Sequence, residues 1–262
     1  MRFCRFAPDG STSPQLLDSL YGLLENEQVR EISGPPWSDW SPLARTWRVA
    51  DVRLAAPVQP GKILCVGRNY AAHAAELGNE VPKEPLIFLK PPSAIIGPGE
   101  PVVLPPQSQK VEHEGELGLV VGRRCSRLKE GDDALGYLLG YTCVNDVTAR
   151  DLQKADVQFT RAKGFDTFCP VGPHIETQLD PADVLVETHV NGAQRQSGRT
   201  SLMIYPVAFL VRWISNVMTL LPGDLIATGT PAGVGPLVAG DNVEVSVGGV
   251  GVLRNPVQSS HS

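Results

Sequence analysis

The sequence predicts a β-rich α+β fold with a small N-terminal unit ahead of a larger one. Three observations carry that expectation. First, 26 glycines and 23 prolines punctuate the 262 residues, and most segments between such breakers are too short for long helices. Second, the apolar runs that remain are short and bounded by turn residues, the pattern of strands. Third, only residues 204–220 read as a long helix, with Pro206 in its first turn and Pro222-Gly223 ending it.

Taken in order, residues 14–27 carry leucines at 16, 17, 20, 23 and 24, the spacing of one short amphipathic helix. A loop, G-P-P-W-S-D-W-S-P, follows at 34–42, and residues 48–59 lead into the second region. The expected division is 1–55, 56–258 and a frayed tail at 259–262, sizes that suit a small and a larger domain. Strands are expected at 62–67, 85–90, 94–97, 101–105, 112–122, 224–229 and 241–247, the last two fed by P-G-D and A-G-D turns. Residues 69–78 form a short helix that Asn69 would cap and Gly78 would close.

Bulk properties exclude several classes. A formal charge of −5 and no lysine- or arginine-rich run leave no electrostatic footprint for nucleic acid or an anionic membrane. No apolar run approaches the roughly 20 residues needed to span a bilayer. The first ten residues lack the apolar stretch of a signal peptide. Five cysteines (Cys4, Cys65, Cys125, Cys143, Cys169) are odd in number, widely spaced and free of C-x-x-C. A reduced, cytoplasmic setting is the expectation.

Three acidic residues stand out as chemistry. In E-H-E-G-E-L-G-L-V-V-G (112–122), alternation along a strand puts Glu114 and Glu116 on one side and His113 on the other. Two carboxylates held that close repel unless a proton or a cation lies between them. Asp146, at the end of the apolar run 138–144, would complete an oxygen-only site of the kind that hard divalent ions prefer. The same pattern also describes a solvated acidic face, and Asp146 also has the form of a helix N-cap before V-T-A-R-D-L-Q-K-A.

Other residues are candidates on weaker signals. His73 and Glu76 are i, i+3 neighbours on the 69–78 helix, where a carboxylate can orient an imidazole as a general base or form a plain surface pair. Lys163 lies among glycine and aromatics in T-R-A-K-G-F-D-T-F-C-P (160–170), positioned to bind an anion or simply solvated. The 229–235 loop, G-T-P-A-G-V-G, lacks the G-K-[ST] of a phosphate loop, but its N–H groups can cradle a carboxylate. No partner is assignable to His174, His189 or His261.

Six motifs in one order resemble the fumarylacetoacetate hydrolase superfamily: G-R-N-Y-A-A-H-A-A-E (67–76), F-L-K-P (88–91), H-E-G-E-L (113–117), N-D-V-T-A-R-D-L-Q (145–153), A-K-G-F-D-T-F-C-P-V-G-P (162–173) and T-G-T-P-A-G-V-G (228–235). The resemblance spans about residues 60–255; the first 55 match only loosely. It implies a mixed β-sandwich or roll, normally a homodimer, holding one Mg²⁺, Mn²⁺ or Ca²⁺. By position it implies Glu114, Glu116 and Asp146 as metal ligands, His73 and Glu76 as the water-activating dyad, and Lys163 as the active-site lysine. Arg150 and Gln153 match residues that reach the substrate, and Thr230, with Gly229, falls in the loop that holds a substrate carboxylate. Glu112 matches no ligand.

The expected substrates are 2-oxo (enol) mono- or dicarboxylic acids, and the expected outcome is cleavage of a C–C bond, by acylpyruvate hydrolysis or β-keto acid decarboxylation, through a metal-stabilised enolate. Isomerisation of a hydroxymuconate-type diacid is the runner-up, since a fold does not choose its reaction. A non-catalytic metal- or ligand-binding module is the alternative from another class.

Overall fold

The computed structural model describes residues 1–8 and 19–260. Its largest element is a mixed sheet whose central strands are Cys169–Glu176, Leu138–Asn145, Gly115–Val121, Leu225–Ala227, Ile63–Gly67 and Leu86–Lys90, in that spatial order. A second sheet of five strands is built mainly from Leu185–Val190, Ala193–Arg199, Asn242–Val247 and Gly251–Ser259. A three-stranded ribbon joins Thr148–Ala149, Val111–His113 and Gly235–Pro236.

The central strands read as continuous apolar runs because both faces of their sheet are covered. Leu117, Leu119 and Val121 point into one core with Leu64 and the helix Val207–Val217, whose Leu210, Val211 and Ile214 are buried there. Val186, Val245 and Val247 of the second sheet close the same core. The intervening Val120 points to the opposite core, with Ile63, Cys65, Val144, Val171 and Leu225. The long helix is therefore shorter than expected at both ends, and Pro206 is its N-cap rather than a first-turn residue.

The N-terminal region departs most from expectation. Leu20–Glu25 is a strand, not the second half of a helix, while residues 14–18 lie outside the described residues. It pairs with Arg2–Pro8 on one side and Gln28–Ile32 on the other. The second pairing closes over a two-residue turn in which Asn26 takes φ 55°. The leucine spacing is helical, but pairing to both neighbours outweighs so weak a local preference. Arg2–Pro8 also pairs with Cys169–Glu176, so the N-terminal strands extend the main sheet. At the other end Ser259 still belongs to the last strand, while residues 261–262 lie outside the described residues.

Two local differences shape the site. The expected strand 112–122 breaks at Glu114: Val111–His113 belongs to the ribbon and Gly115–Val121 to the main sheet. The short helix α1 spans Ala71–Glu76 and starts after Tyr70, so Asn69 is not its cap. The Asn69 side chain instead donates to Thr228 O (2.8 Å) and Tyr205 O (3.1 Å) and accepts from Tyr205 N–H (2.8 Å). It therefore ties the start of α1 to two distant loops. Gly78 does close the helix, with φ 68°. The helices α2 (Arg150–Ala155) and α3 (Thr160–Lys163) follow the Asp146 turn.

Candidate active site

The strand end at Gly67, the break at Glu114, the turn at Asp146, and α1 to α3 surround one cavity of about 240 Å³. It is lined by Glu114, Glu116, Asp146, His73, Lys163, Arg150, Gln153 and Thr230, together with Arg68, Phe88, Lys154 and Phe159. Glu76 and Gly229 do not line it but hold residues that do. Asp146 caps no helix, since α2 begins after Ala149. His113 faces away from the cavity, its Nδ1 lying 3.1 Å from Gln196 Oε1.

The acidic cluster is buried and tight. One carboxylate oxygen from each of Glu114, Glu116 and Asp146 lies within 4.8 Å of the others. Lys163 Nζ donates to Glu114 Oε2 at 2.8 Å and to Asp146 Oδ2 at 2.6 Å. Lys90 Nζ approaches Asp146 from the other side, 2.6 Å from Oδ1. Arg150 donates to Glu114, to Glu112 at 2.7 Å and to Gln153 at 2.6 Å. Glu112, absent from the expected ligand set, thus balances the arginine. Lys163 also sits over the Phe88 ring, 4.9 Å from its centroid.

These pairs leave one carboxylate without a partner. Three buried cations (Lys90, Arg150, Lys163) and the exposed Lys110, 3.1 Å from Glu112, are engaged by Glu112, Glu114 and Asp146, but not by Glu116. Burial alone would raise Glu114, but Lys163 and Arg150 outweigh it and hold its carboxyl below the ordinary range. Burial also opposes the Lys163 charge, yet Asp146 and Glu114 hold the ammonium more firmly protonated than usual. Glu116 is the exception. Among the described residues no basic side chain pairs with it, and it accepts only the Gly229 N–H at 2.7 Å. Burial, then the charges of Asp146 and Glu114, push it well above the ordinary carboxylate range. Such a carboxylate needs a proton or a cation. The all-oxygen donor set and the unpaired Glu116 both fit a hard divalent ion.

The hinge of the site is Gly229, at φ 99°, where a Cβ would lie 2.7 Å from that of Asn69. Next to it, Thr230 Oγ1 donates to Gly115 O (2.8 Å) and accepts from Gln196 Nε2 (2.7 Å), whose Oε1 accepts from Gly115 N–H (3.0 Å). His73 is buried, with Nδ1 3.5 Å from Glu76 Oε2 and no hydrogen-bond partner for that nitrogen. Glu76 is held by the Gly233 N–H, 3.1 Å from each oxygen.

Lys90, Gln196 and Asn69 were missed as site residues in the sequence. Lys90 left one signal, a charged residue closing an apolar strand within F-L-K-P. Gln196 sits in a polar strand and left none.

A β-rich mixed fold thus encloses a buried three-carboxylate centre beside a histidine, and sequence comparison shows the family. Residues 62–258 match the fumarylacetoacetate (FAA) hydrolase C-terminal family, and residues 1–57 match the Rv2993c-like N-terminal family. The chain belongs to the fumarylacetoacetate hydrolase superfamily. It is 50% identical to protein Rv2993c of Mycobacterium tuberculosis over 98% of both chains. It is 42% identical to the mitochondrial oxaloacetate tautomerase FAHD2A of Bos taurus, over 79% of this chain and 70% of that one.

Among solved structures, 2-hydroxyhepta-2,4-diene-1,7-dioate isomerase from Mycobacterium marinum matches at 47% identity and TM-score 0.90, covering all of both chains. Maleylpyruvate hydrolase from Sphingobium sp. SYK-6, in complex with manganese(II) and pyruvate, matches at 30% identity and TM-score 0.80, also over all of both chains. The superfamily relatives thus include a hydrolase, a tautomerase and an isomerase. Among the described residues, no helix is long and apolar enough to cross a membrane.

Proposed function

We propose that this protein is a Mg²⁺- or Mn²⁺-dependent enzyme that cleaves a C–C bond in 2-oxo acids of the acylpyruvate type. The observation that carries this reading is the convergence of a buried histidine and a three-carboxylate centre with one unpaired member, Glu116, on one small cavity. A divalent ion held by Glu114, Glu116 and Asp146 would polarise the carboxylate and keto oxygens of such a substrate.

The protein's own groups then have defined tasks. His73, its Nδ1 turned to Glu76 at 3.5 Å, takes a proton from water through its other ring nitrogen as the hydroxide adds to the acyl carbonyl. The C–C bond breaks, its electron pair passes to the pyruvate fragment as an enolate, and the proton on His73 returns to that carbon. Pyruvate and a carboxylic acid result, with atoms and charge balanced. Lys163 places a fixed positive charge beside the developing anion, where exclusion of water strengthens it. The cavity is smaller than the roughly 300–1,000 Å³ of drug-sized sites, which suits a small acid.

The second reading is isomerisation or tautomerisation of a 2-oxo acid, with His73 beside Glu76 acting only as a proton carrier, and the isomerase and tautomerase relatives support it. His73→Ala tests the enzyme reading. Turnover of acetylpyruvate should fall at least 100-fold while Mn²⁺ affinity stays within threefold of wild type. Unchanged turnover would remove His73 from the chemistry, and no turnover by either protein would favour a binding module. We further propose a homodimer, as the family resemblance implies, and a cytoplasmic setting; light scattering of the purified protein checks the assembly.

A further inference from the structure

Gln196 is the buried exception in a stretch of strand that otherwise faces solvent. It is 1% exposed, while Gln194, Arg195 and Ser197 around it are exposed. An amide taken out of water is costly unless its own hydrogen bonds are met. Here all four are. Oε1 accepts from Gly115 N–H (3.0 Å) and from His113 Nδ1 (3.1 Å), and Nε2 donates to Thr230 Oγ1 and to Pro231 O, both at 2.7 Å. The backbone N–H on one side and the backbone carbonyl on the other fix which end is oxygen.

These bonds reach the two segments that aim the acidic cluster. His113 and Gly115 flank Glu114 at the break where the ribbon leaves the main sheet. Glu114 is held there through its own backbone, its N–H donating to Asn145 Oδ1 (3.0 Å) and its carbonyl accepting from Asp146 N–H (2.8 Å). Thr230 and Pro231 belong to the loop whose Gly229 N–H donates to Glu116 at 2.7 Å.

The close approach of the second sheet depends on Gly115. A Cβ there would collide with Thr188 Oγ1, and Thr188 is the cross-strand partner of Gln196. A side chain at 115 would push that pair of strands back and carry the amide away from Gly115 N–H. Gln196 does not line the cavity, so it acts on the site through the residues it holds.

We infer that Gln196 is a positioning residue for the acidic centre. Its amide ties the Glu114 break and the 229–235 loop into one unit, so that Glu114 and Glu116 are aimed together before a cation arrives. A partner outside the ligand set then contributes to affinity by holding the ligands in place. This rests on the reading of Glu114, Glu116 and Asp146 as a divalent-metal site.

Mn²⁺ binding to the EDTA-stripped protein, followed by calorimetry and by EPR of the bound ion, tests it. Gln196→Met keeps the length of the side chain and removes all four hydrogen bonds. Affinity should fall by roughly 10–100-fold. The EPR spectrum at saturation should also change, which a loss of fold stability alone would not cause. Thr230→Val should weaken binding too, and the double variant should bind no worse than the weaker single, because both cut one chain of bonds. Gln194→Met, on the exposed part of the same strand, should stay within about threefold of wild type. Should Gln196→Met fail to fold, Gln196→Glu keeps the shape and the accepting oxygen but loses both donated bonds. Its affinity should still fall, although added negative charge alone favours a cation. Affinity within about threefold of wild type in the Gln196 variants, an unchanged spectrum, or losses that multiply in the double variant would overturn the Gln196 role alone. No Mn²⁺ binding by wild type would overturn the metal reading and this role with it.

Discussion

Lys90 Nζ lies 2.6 Å from Asp146 Oδ1, with the two side chains 0% and 2% exposed. This pair lies beneath the acidic cluster, and the strand end that carries Lys90 fixes where Asp146 can point. Burying two charges is favourable only while they remain paired. Lys90→Met should therefore destabilise the EDTA-treated protein by about 3–5 kcal/mol in urea titrations. Saturating Mn²⁺ should recover part of that loss, because a second cation then faces Asp146 beside Lys163. A loss under about 1 kcal/mol would mean that water reaches the pair.

Glu116 is the carboxylate with no cation of its own, so it should be the most sensitive reporter of metal. Glu116→Gln removes the charge and keeps the shape. Mn²⁺ affinity by calorimetry should fall beyond the roughly 10–100-fold lost when an outer-shell partner is removed. Affinity within a factor of three of wild type would place the ion elsewhere.

Gly229 joins backbone conformation to the same carboxylate. Its φ of 99° and the Asn69 Cβ, 2.7 Å from where a Cβ would stand, leave no room for alanine. Gly229→Ala should cost of order 1–3 kcal/mol in strain and displace the N–H that Glu116 accepts. Both thermal stability and Mn²⁺ affinity should drop, and a variant that lost neither would show that the loop relaxes freely.

The pH dependence of stability should carry the signature of His174. Burial, aided by Arg2, pushes its pKa from 6.5 down to about 4, and Nε2 has no partner. Between those values the unfolded chain binds a proton that the folded chain does not. Stability is therefore intact above about pH 6.5 and falls as the pH drops toward 4, by up to roughly 3 kcal/mol at 1.36 kcal/mol per unit. Urea midpoints at pH 7, 5.5 and 4.5 should show a shallower fall in His174→Gln. Parallel profiles would mean that another group titrates there.

The comparison of sequence with structure separates local from distant causes. Glu114, Glu116, Asp146 and His73 are legible only through the six motifs in family order, since each pattern alone also fits a solvated acidic face, a helix cap or a surface pair, and the structure brings the four to one cavity. Lys90 is not legible as a site residue, since its partner Asp146 is 56 residues away. The stretch 14–27 misleads for a related reason: leucine spacing is a local signal, whereas the strand Leu20–Glu25 is made by pairing to Arg2–Pro8 and Gln28–Ile32. Asn69 shows the same limit in miniature, a residue of capping type at a helix start whose side chain is engaged by residues 136 and 159 positions away.

The central claim, a metal-dependent 2-oxo acid C–C hydrolase, is tested most directly by proton NMR. Protein stripped with EDTA and restored with Mg²⁺ or Mn²⁺ would be offered acetylpyruvate, fumarylpyruvate, oxaloacetate and a carboxymethyl-hydroxymuconate. The expected result is pyruvate release from the acylpyruvates that appears only with metal and disappears in Glu116→Gln. A shifted double bond without cleavage, or release that is indifferent to metal, would contradict it.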